Sequence, residues 1–288
     1  MEQQLNKRVQ PGDVWQIGKH RLLCADASDS DALARLFNGR QWDVMVTSPL
    51  YAQQRSYGLP TFDWQAMMDG VTRAALMQAA PSFHALVNLG LVHKNKRVVE
   101  YWRPWLDSCA SQGIPLYGWY VWDKLHAMPG FHHGRLAPAH EFIFHFAHNP
   151  WPANKWIAKK CFSASKRSAG CNRGRNGKRK RWYTPLASLQ PRKVADSLLR
   201  LSPERQKGIH TRYHPAVYPV ALPEHLLRSF GRDGCTPFDP FAGSGTTALA
   251  AERCGYGAYM VELNPQYCDL ILTRLESFLD MSPIKVSK

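Results

Sequence analysis

Short apolar runs alternate along this chain with stretches whose apolar positions recur at helical spacing. Residues 21–26 and 43–46 read as strands flanking a helix over residues 29–37. Further runs predict strands at 85–89 and 116–122, with a helix around 97–113 between them. Near the end of the chain a strand at Phe238 leads through a glycine turn into a helix over 246–252, and a last strand follows at 258–261. Strands and helices alternating at this spacing predict a parallel, doubly wound α/β sheet. Trp15, between Gly12 and Gly18, is expected to anchor a hairpin.

Two strand ends carry candidate chemistry. Phe238-Asp239-Pro240-Phe241 runs into Ala242-Gly243-Ser244-Gly245, and the helix starts at Thr246. Such a turn presents backbone N–H groups and a helix N-terminus to a carboxylate or phosphate. A Gly-x-Gly alone marks an ordinary tight turn. Here the next strand ends in Glu262, about 20 positions past the loop, where a carboxylate can accept hydrogen bonds from both hydroxyls of a ribose. Loop and carboxylate together call for a nucleoside-containing cofactor. The other strand end is Thr47-Ser48-Pro49-Leu50-Tyr51, which by itself is only a turn.

Asp-Pro-Phe-Ala-Gly-Ser-Gly-Thr-Thr at 239–247, followed by Val-Glu-Leu-Asn-Pro-Gln-Tyr at 261–267, resembles the S-adenosylmethionine site of DNA amino-methyltransferases. These methylate N6 of adenine or N4 of cytosine. The resemblance implies S-adenosyl-L-methionine as cofactor, with Asp239, Phe241, Gly243, Gly245 and Thr246 at its methionine part and Glu262 on its ribose. Pro240, Ser244 and Asn264 are grouped with them. His214, in the segment Tyr213-His214-Pro215, resembles the family's lead-in that helps close the methionine pocket. Asp26 matches a position that approaches the adenine, and reads equally well as a turn or helix-start carboxylate.

Ser48-Pro49-Leu50-Tyr51 resembles the family's catalytic tetrad, (Asp, Asn or Ser)-Pro-Pro-(Tyr or Phe). An exocyclic amine is a poor nucleophile because its lone pair is delocalised into the ring. The resemblance implies that Ser48 and the Pro49 carbonyl accept the amine hydrogens, and that Tyr51 stacks on a base taken out of the duplex. Leu50 departs from the pattern, since it neither fixes φ nor removes a donor as the second proline would. With the tetrad first and the cofactor loop last, the order resembles the β group of these enzymes, a circularly permuted, Rossmann-like version of the sheet. Trp122-Asp123-Lys124 and Arg135 through His140-Glu141-Phe142 resemble further family motifs, with His140 and Glu141 expected as a buried pair stiffening the site. The matches cover residues 11–145 and 210–278.

The segment between them is basic. Residues 142–195 hold 13 Lys and Arg and no Asp or Glu, in a chain whose 37 basic and 22 acidic residues give a net charge of +15. Lys178-Arg179-Lys180-Arg181 follows a run of small residues, 163–177, so that disorder over 163–181 without a partner is one expectation. Basic side chains among Trp151, Trp156, Trp182 and Tyr183 suit a phosphate backbone and exposed bases. In the family this segment recognises the target. Lys166, Arg167, Arg173, Arg175, Lys178, Arg179, Lys180, Arg181 and Trp182 are therefore candidate contacts to double-stranded DNA. Arg55, in the stretch 53–57 directly after the tetrad, is a further one, that stretch being either part of the base pocket or DNA cleft or merely a loop. The expected divisions are 1–149 and 210–288 for the two halves of the methyltransferase domain and 150–209 for the insert.

Composition bounds the rest. A chain of 288 residues with 44% hydrophobic content suffices for one large α/β domain with an insert. No apolar run reaches the roughly 18–20 residues of a membrane span, and the first residues lack a signal-like core. Seven cysteines without Cys-x-x-Cys spacing read as free thiols of a cytoplasmic protein. The histidines fall in no metal spacing, so no metal is expected. No cysteine lies in the Pro-Cys context of a cytosine-C5 enzyme. By the resemblance, Ser at the first tetrad position implies N4 of cytosine, whereas residues 47–57, the compact length and the basic insert resemble prophage-borne adenine methyltransferases of low sequence preference. The balance favours N6 of adenine. Rival readings are a DNA-binding protein weakened in catalysis by Leu50 and an RNA methyltransferase. The oligomeric state and any partner restriction endonuclease stay open.

Overall fold

The computed structural model describes residues 8–51, 63–127, 132–159, 169–183, 190–203 and 218–286. Strands β1 (Val14–Ile17) and β2 (His20–Cys24) form the hairpin expected around Trp15. Helix α1 (Ser30–Phe37) starts where Asp29 accepts hydrogen bonds from the N–H groups of Asp31 and Ala32. It stops at Asn38, which takes the left-handed conformation. Strand β3 (Trp42–Thr47), helix α2 (Trp64–Met77) and strand β4 (Ala79–Leu89) follow.

The helix expected around 97–113 is shorter. Strands β5 (Val92–Lys94) and β6 (Arg97–Val99) pair first, in a hairpin whose two turn residues, Asn95 and Lys96, both have positive φ. That mirror-image turn matches the twist of two short strands. Helix α3 therefore covers only Arg103–Ser111, with Pro104 in its first turn. Strands β7 (Leu116–Asp123) and β8 (His140–His148) come next, then β9 (Ile157–Ala158), β10 (Ala169–Arg173), β11 (Arg179–Tyr183), β12 (Arg192–Lys193) and β13 (Leu198–Arg200). The last part comprises α4 (Ala221–Phe230), β14 (Pro237–Asp239), α5 (Thr246–Arg253), β15 (Tyr259–Glu262), α6 (Pro265–Leu279) and β16 (Ile284–Val286).

Ten of these strands form one sheet in the order β13-β7-β8-β4-β3-β14-β15-β2-β1-β16. Its centre, β4-β3-β14-β15-β2, is parallel as expected. The sheet as a whole is mixed, which corrects the fully parallel expectation. β8 runs antiparallel to β4 and β7, and β1 runs antiparallel to both its neighbours. No helix lies between β7 and β8 among the described residues, and a direct return requires an antiparallel pair.

One face of the sheet is covered by a core in which Phe83, Ala85 and Val87 of β4 meet Phe144, Phe238, Leu33, Trp64 and Trp105. The intervening positions His84 and His145 face the other way, against Phe230 of α4. There a one-directional chain forms. The Tyr120 hydroxyl donates to His145, His145 donates to His84, and His84 donates to the Trp151 carbonyl. Burial pushes the two imidazoles down to about 3 and about 4, so both are neutral wires rather than charges.

Residues Ala153–Asp196 form a compact unit apart from Met1–Pro152 and Ser197–Lys288. This unit is narrower than the 150–209 expected, because the chain re-enters the main sheet at β13, where Leu198 pairs with Val121. The smaller unit contains the β9–β12 pair and the β10–β11 hairpin. Part of the stretch considered for disorder is thus ordered as strand, turn and strand. Residues 163–168 lie outside the described residues.

Candidate active site

The parallel neighbours β3 and β14 end side by side, which brings the two chemistry-bearing turns together. Thr47, the last residue of β3, donates its hydroxyl to the Asp239 carboxylate at the end of β14, at 2.6 Å. Ligands of open α/β sheets bind outside the carboxyl ends of such strands. Ser48 and the glycine loop therefore leave the sheet from adjacent points.

The glycine loop is held from below. Asp239 is fully buried and also accepts from the Phe241 N–H and the hydroxyls of Thr247 and Tyr218. Its work here is to bind strand, loop and helix α5 to one another. Gly245 is the N-cap of α5 with φ 77°, and a Cβ there would lie 3.0 Å from Ile271 of α6. Conformation and space both demand glycine. Having no side chain, it leaves the start of α5 without a side-chain cap. Ser244 and Thr246 are buried, and Arg274 of α6 donates to the Ser244 carbonyl and to both hydroxyls. This arginine escaped the sequence reading, because a cation inside an otherwise amphipathic helix reads as part of its solvated face.

Glu262 ends β15 beside the loop. One carboxylate oxygen accepts the Gly243 N–H and the other the Asn264 N–H, both at 2.9 Å. Burial outweighs these bonds and pushes the carboxyl up to about 7. Asn264 caps α6 by accepting from the Gln266 N–H.

The turn after β3 is equally tied. Tyr51 donates its hydroxyl to Glu141 at 2.6 Å, and the Asn88 amide donates to Ser48 Oγ, Tyr51 Oη and Glu141. Lys124 Nζ completes the cluster on the other oxygen of Glu141. Burial beside that carboxylate holds the Tyr51 phenol well above its ordinary value, so it is a donor and not a phenolate. Pro49 is buried, and the Leu50 carbonyl accepts the Trp64 indole N–H at 2.6 Å. The expected His140–Glu141 pair does not form. Adjacent strand residues point to opposite faces, so Glu141 turns into the site while His140 is exposed, edge-on to Phe142. Asn88, Trp64, Gly90 and Tyr101 were missed; a lone amide in the apolar run 85–89, at a strand's carboxyl end, was the available signal.

Asp26 is exposed and accepts from the N–H and hydroxyl of Ser28, as a turn carboxylate does. His214, Arg55, Lys166 and Arg167 lie outside the described residues. In the smaller unit the β10–β11 hairpin displays Arg173, Arg179 and Arg181 with Tyr183 along one face, and Lys180 with Trp182 along the other. Arg175 and Lys178 lie in its turn, and all of these residues are exposed. Arg173 stands directly opposite Arg179. Among the described residues no cluster of three or more His, Cys, Asp or Glu could hold a metal, and no helix is long and apolar enough to cross a membrane.

The profile of the N6/N4 methyltransferase family, described as DNA methylase, matches residues 42–273. The type II methyltransferase M.ScaI of Streptomyces caespitosus is 31% identical over 106 residues, which are 37% of this chain and 34% of that protein. The chain spans between about a fifth and a half of the length of the curated relatives it matches first. Among solved structures, PvuII DNA methyltransferase (cytosine-N4-specific) aligns with a TM-score of 0.62 at 18% identity, over 96% of this chain and 94% of its own. A putative DNA modification methylase from Thermus thermophilus, complexed with S-adenosyl-L-methionine, aligns with a TM-score of 0.56 at 21% identity, over 90% and 95%. At such identities these two likenesses establish the fold.

Proposed function

The chain belongs to the N6/N4 DNA methylase family, and on that premise we propose that it transfers a methyl group from S-adenosylmethionine to an exocyclic amine of a DNA base. The observation that carries the proposal is the Thr47–Asp239 hydrogen bond, which sets the turn after β3 beside the glycine loop nearly two hundred residues further along the chain. In this reading the sheet is the permuted form of the methyltransferase fold.

The residues present suit the cofactor. The uncapped start of α5 offers backbone N–H groups to a carboxylate, and Glu262 lies where a ribose would need an acceptor. When bound, S-adenosylmethionine supplies a methyl group on a sulfonium. Everything else falls to the chain. Ser48 Oγ and the Pro49 carbonyl accept the two amine hydrogens and hold the nitrogen lone pair toward the loop. Tyr51 provides the surface against which the extruded base stacks. Direct transfer needs no covalent bond between enzyme and base.

Glu262 gives this reading a pH signature. Its carboxylate must be ionised to accept from two hydroxyls, yet in the free protein burial has pushed it up to about 7. Hydroxyl donors favour the ionised form, so binding expels a proton wherever Glu262 starts out protonated. Cofactor affinity should rise by about tenfold per pH unit below 7 and level off above it. Calorimetric titrations in buffers of different ionisation enthalpy measure this directly. A dissociation constant independent of pH between about 6 and 8 would count against ribose binding by Glu262.

The β10–β11 hairpin is the DNA-contacting element of this reading. A ribbon with three arginines on one face, two directly opposed, favours a polyanion that relieves their repulsion. Replacing Arg179 and Arg181 together by alanine should lower the slope of log K against log salt by about 2 and leave cofactor binding intact. An unchanged slope would place the DNA elsewhere.

The preferred target is N6 of adenine with little sequence preference. N4 of cytosine is the second reading, favoured by Ser48 at the first tetrad position and by the likeness to the cytosine-N4-specific PvuII enzyme. Incubation of plasmid with the protein and methyl-labelled S-adenosylmethionine, followed by nucleoside mass analysis, decides. N6-methyladenine at many sites supports the first reading and N4-methylcytosine the second. Absence of both, with cofactor bound, would overturn the proposed activity.

A further inference from the structure

We propose that Gly90, Asn88, Glu141, Trp64 and Tyr101 are positioning residues that hold Tyr51 as a rigid stacking platform with one face covered by the protein. The inference rests on reading Ser48–Tyr51 as the amine-binding turn.

The Tyr51 ring lies directly on Gly90. A Cβ at position 90 would come 2.6 Å from Tyr51 Cε2 and 3.1 Å from Cδ2. Gly90 has no left-handed backbone, so glycine is needed there for space alone. The ring cannot swing aside, because its hydroxyl is held by Glu141 at 2.6 Å and by the Asn88 amide at 3.0 Å. That amide also reaches Ser48 Oγ, which ties the amine acceptor to the stacking residue. Turning the Asn88 amide over would set its oxygen against the Glu141 carboxylate, so its orientation is fixed.

The backbones on both sides of the ring are clamped by one pair of aromatic side chains. Trp64 donates to the carbonyl of Leu50, the residue before Tyr51, and Tyr101 donates to the carbonyl of Gly90 at 3.0 Å. The two rings meet edge to face at 4.8 Å. Trp64 thus supplies, through a side chain, the restraint that a second proline at position 50 would supply through φ. Gly90 is buried and covers the ring face it touches, while Tyr51 as a residue remains partly exposed; the base is taken to stack on the face turned away from Gly90. Misplacing such a platform by about 1 Å is enough to lower a rate on the order of 100-fold.

The test is a double-mutant cycle of Gly90→Ala and Tyr51→Ala, read by kcat, KM and the fluorescence of 2-aminopurine placed at the target position of a duplex. Gly90→Ala should lower kcat about 10- to 100-fold, leave the KM for S-adenosylmethionine unchanged and brighten the extruded 2-aminopurine as Tyr51→Ala does. In the Tyr51→Ala background, Gly90→Ala should have no further effect. Trp64→Phe, which keeps a smaller aromatic ring and removes the donor, should brighten 2-aminopurine in the same direction and guards against a Gly90 variant that fails to fold. Equal losses from Gly90→Ala in both backgrounds would overturn the proposal, as would unchanged fluorescence in both Gly90→Ala and Trp64→Phe. A wild-type protein that bound cofactor and methylated no amine would instead sink the underlying reading, and this one with it.

Discussion

Replacing Ser48 by alanine should lower kcat for methyl transfer by about 100- to 1000-fold while leaving cofactor affinity and thermal stability close to wild type. As the amine attacks, positive charge develops on its nitrogen and its hydrogens become stronger donors. An acceptor at Ser48 is therefore worth more in the transition state than in the bound substrate, and its loss appears in kcat. Little structural cost is expected. Ser48 Oγ is half-buried and its contacts to Asn88, at 3.3 and 3.5 Å, are long. The Asn88 amide keeps Tyr51 and Glu141 as partners. Rapid-quench measurement with saturating cofactor separates the chemical step from product release. A variant that transferred methyl groups at the wild-type rate would remove Ser48 from the reaction.

Replacing Asp239 by alanine should be the most damaging change to stability, by about 2–4 kcal/mol, and should abolish activity by loosening both turns. Its carboxylate is the common acceptor for Thr47, Thr247, Tyr218 and the Phe241 N–H. Because the carboxylate is fully buried, alanine strands those donors. Asp239→Asn should be much milder, since one oxygen is kept for Thr47 and Phe241 while the hydroxyls of Thr247 and Tyr218 can rotate to accept. Urea denaturation of the two variants measures the contrast. Equal stability of the alanine variant and wild type would show that the two turns are held together by other means.

The parts that could be read in advance were those in which local sequence and local chemistry coincide. Glycine is forced at 245 by conformation and space, Glu262 ends an apolar strand, and Ser48-Pro49 ends another, so both halves of the candidate site announce themselves. Strand direction was not readable beyond the central five. The run His140–His148 has the composition of a strand, but its reversal depends on the connection from β7. The false start of the helix at 97 has the same origin, since Arg97, Val98 and Val99 suit either element and pairing with Val92–Lys94 decided. Nor were the supports of Tyr51 readable. Trp64, Gly90 and Tyr101 act through backbone carbonyls and through space, and neither leaves a spacing in the sequence. The motif names His140 and Glu141 together, but neighbours along a strand face opposite ways, so the partners of Glu141 are Tyr51, Asn88 and Lys124 instead.

Whether the two turns form one site is decided by a structure of the protein with S-adenosylmethionine bound, read as the distance from the transferable methyl carbon to Ser48 Oγ. An amine held between the two requires about 6 Å or less, with the methyl group turned toward Tyr51 and the ribose hydroxyls on Glu262. A cofactor seated on the glycine loop with its methyl group turned away from Ser48, or bound away from that loop altogether, would contradict the claim that the two turns form a single site.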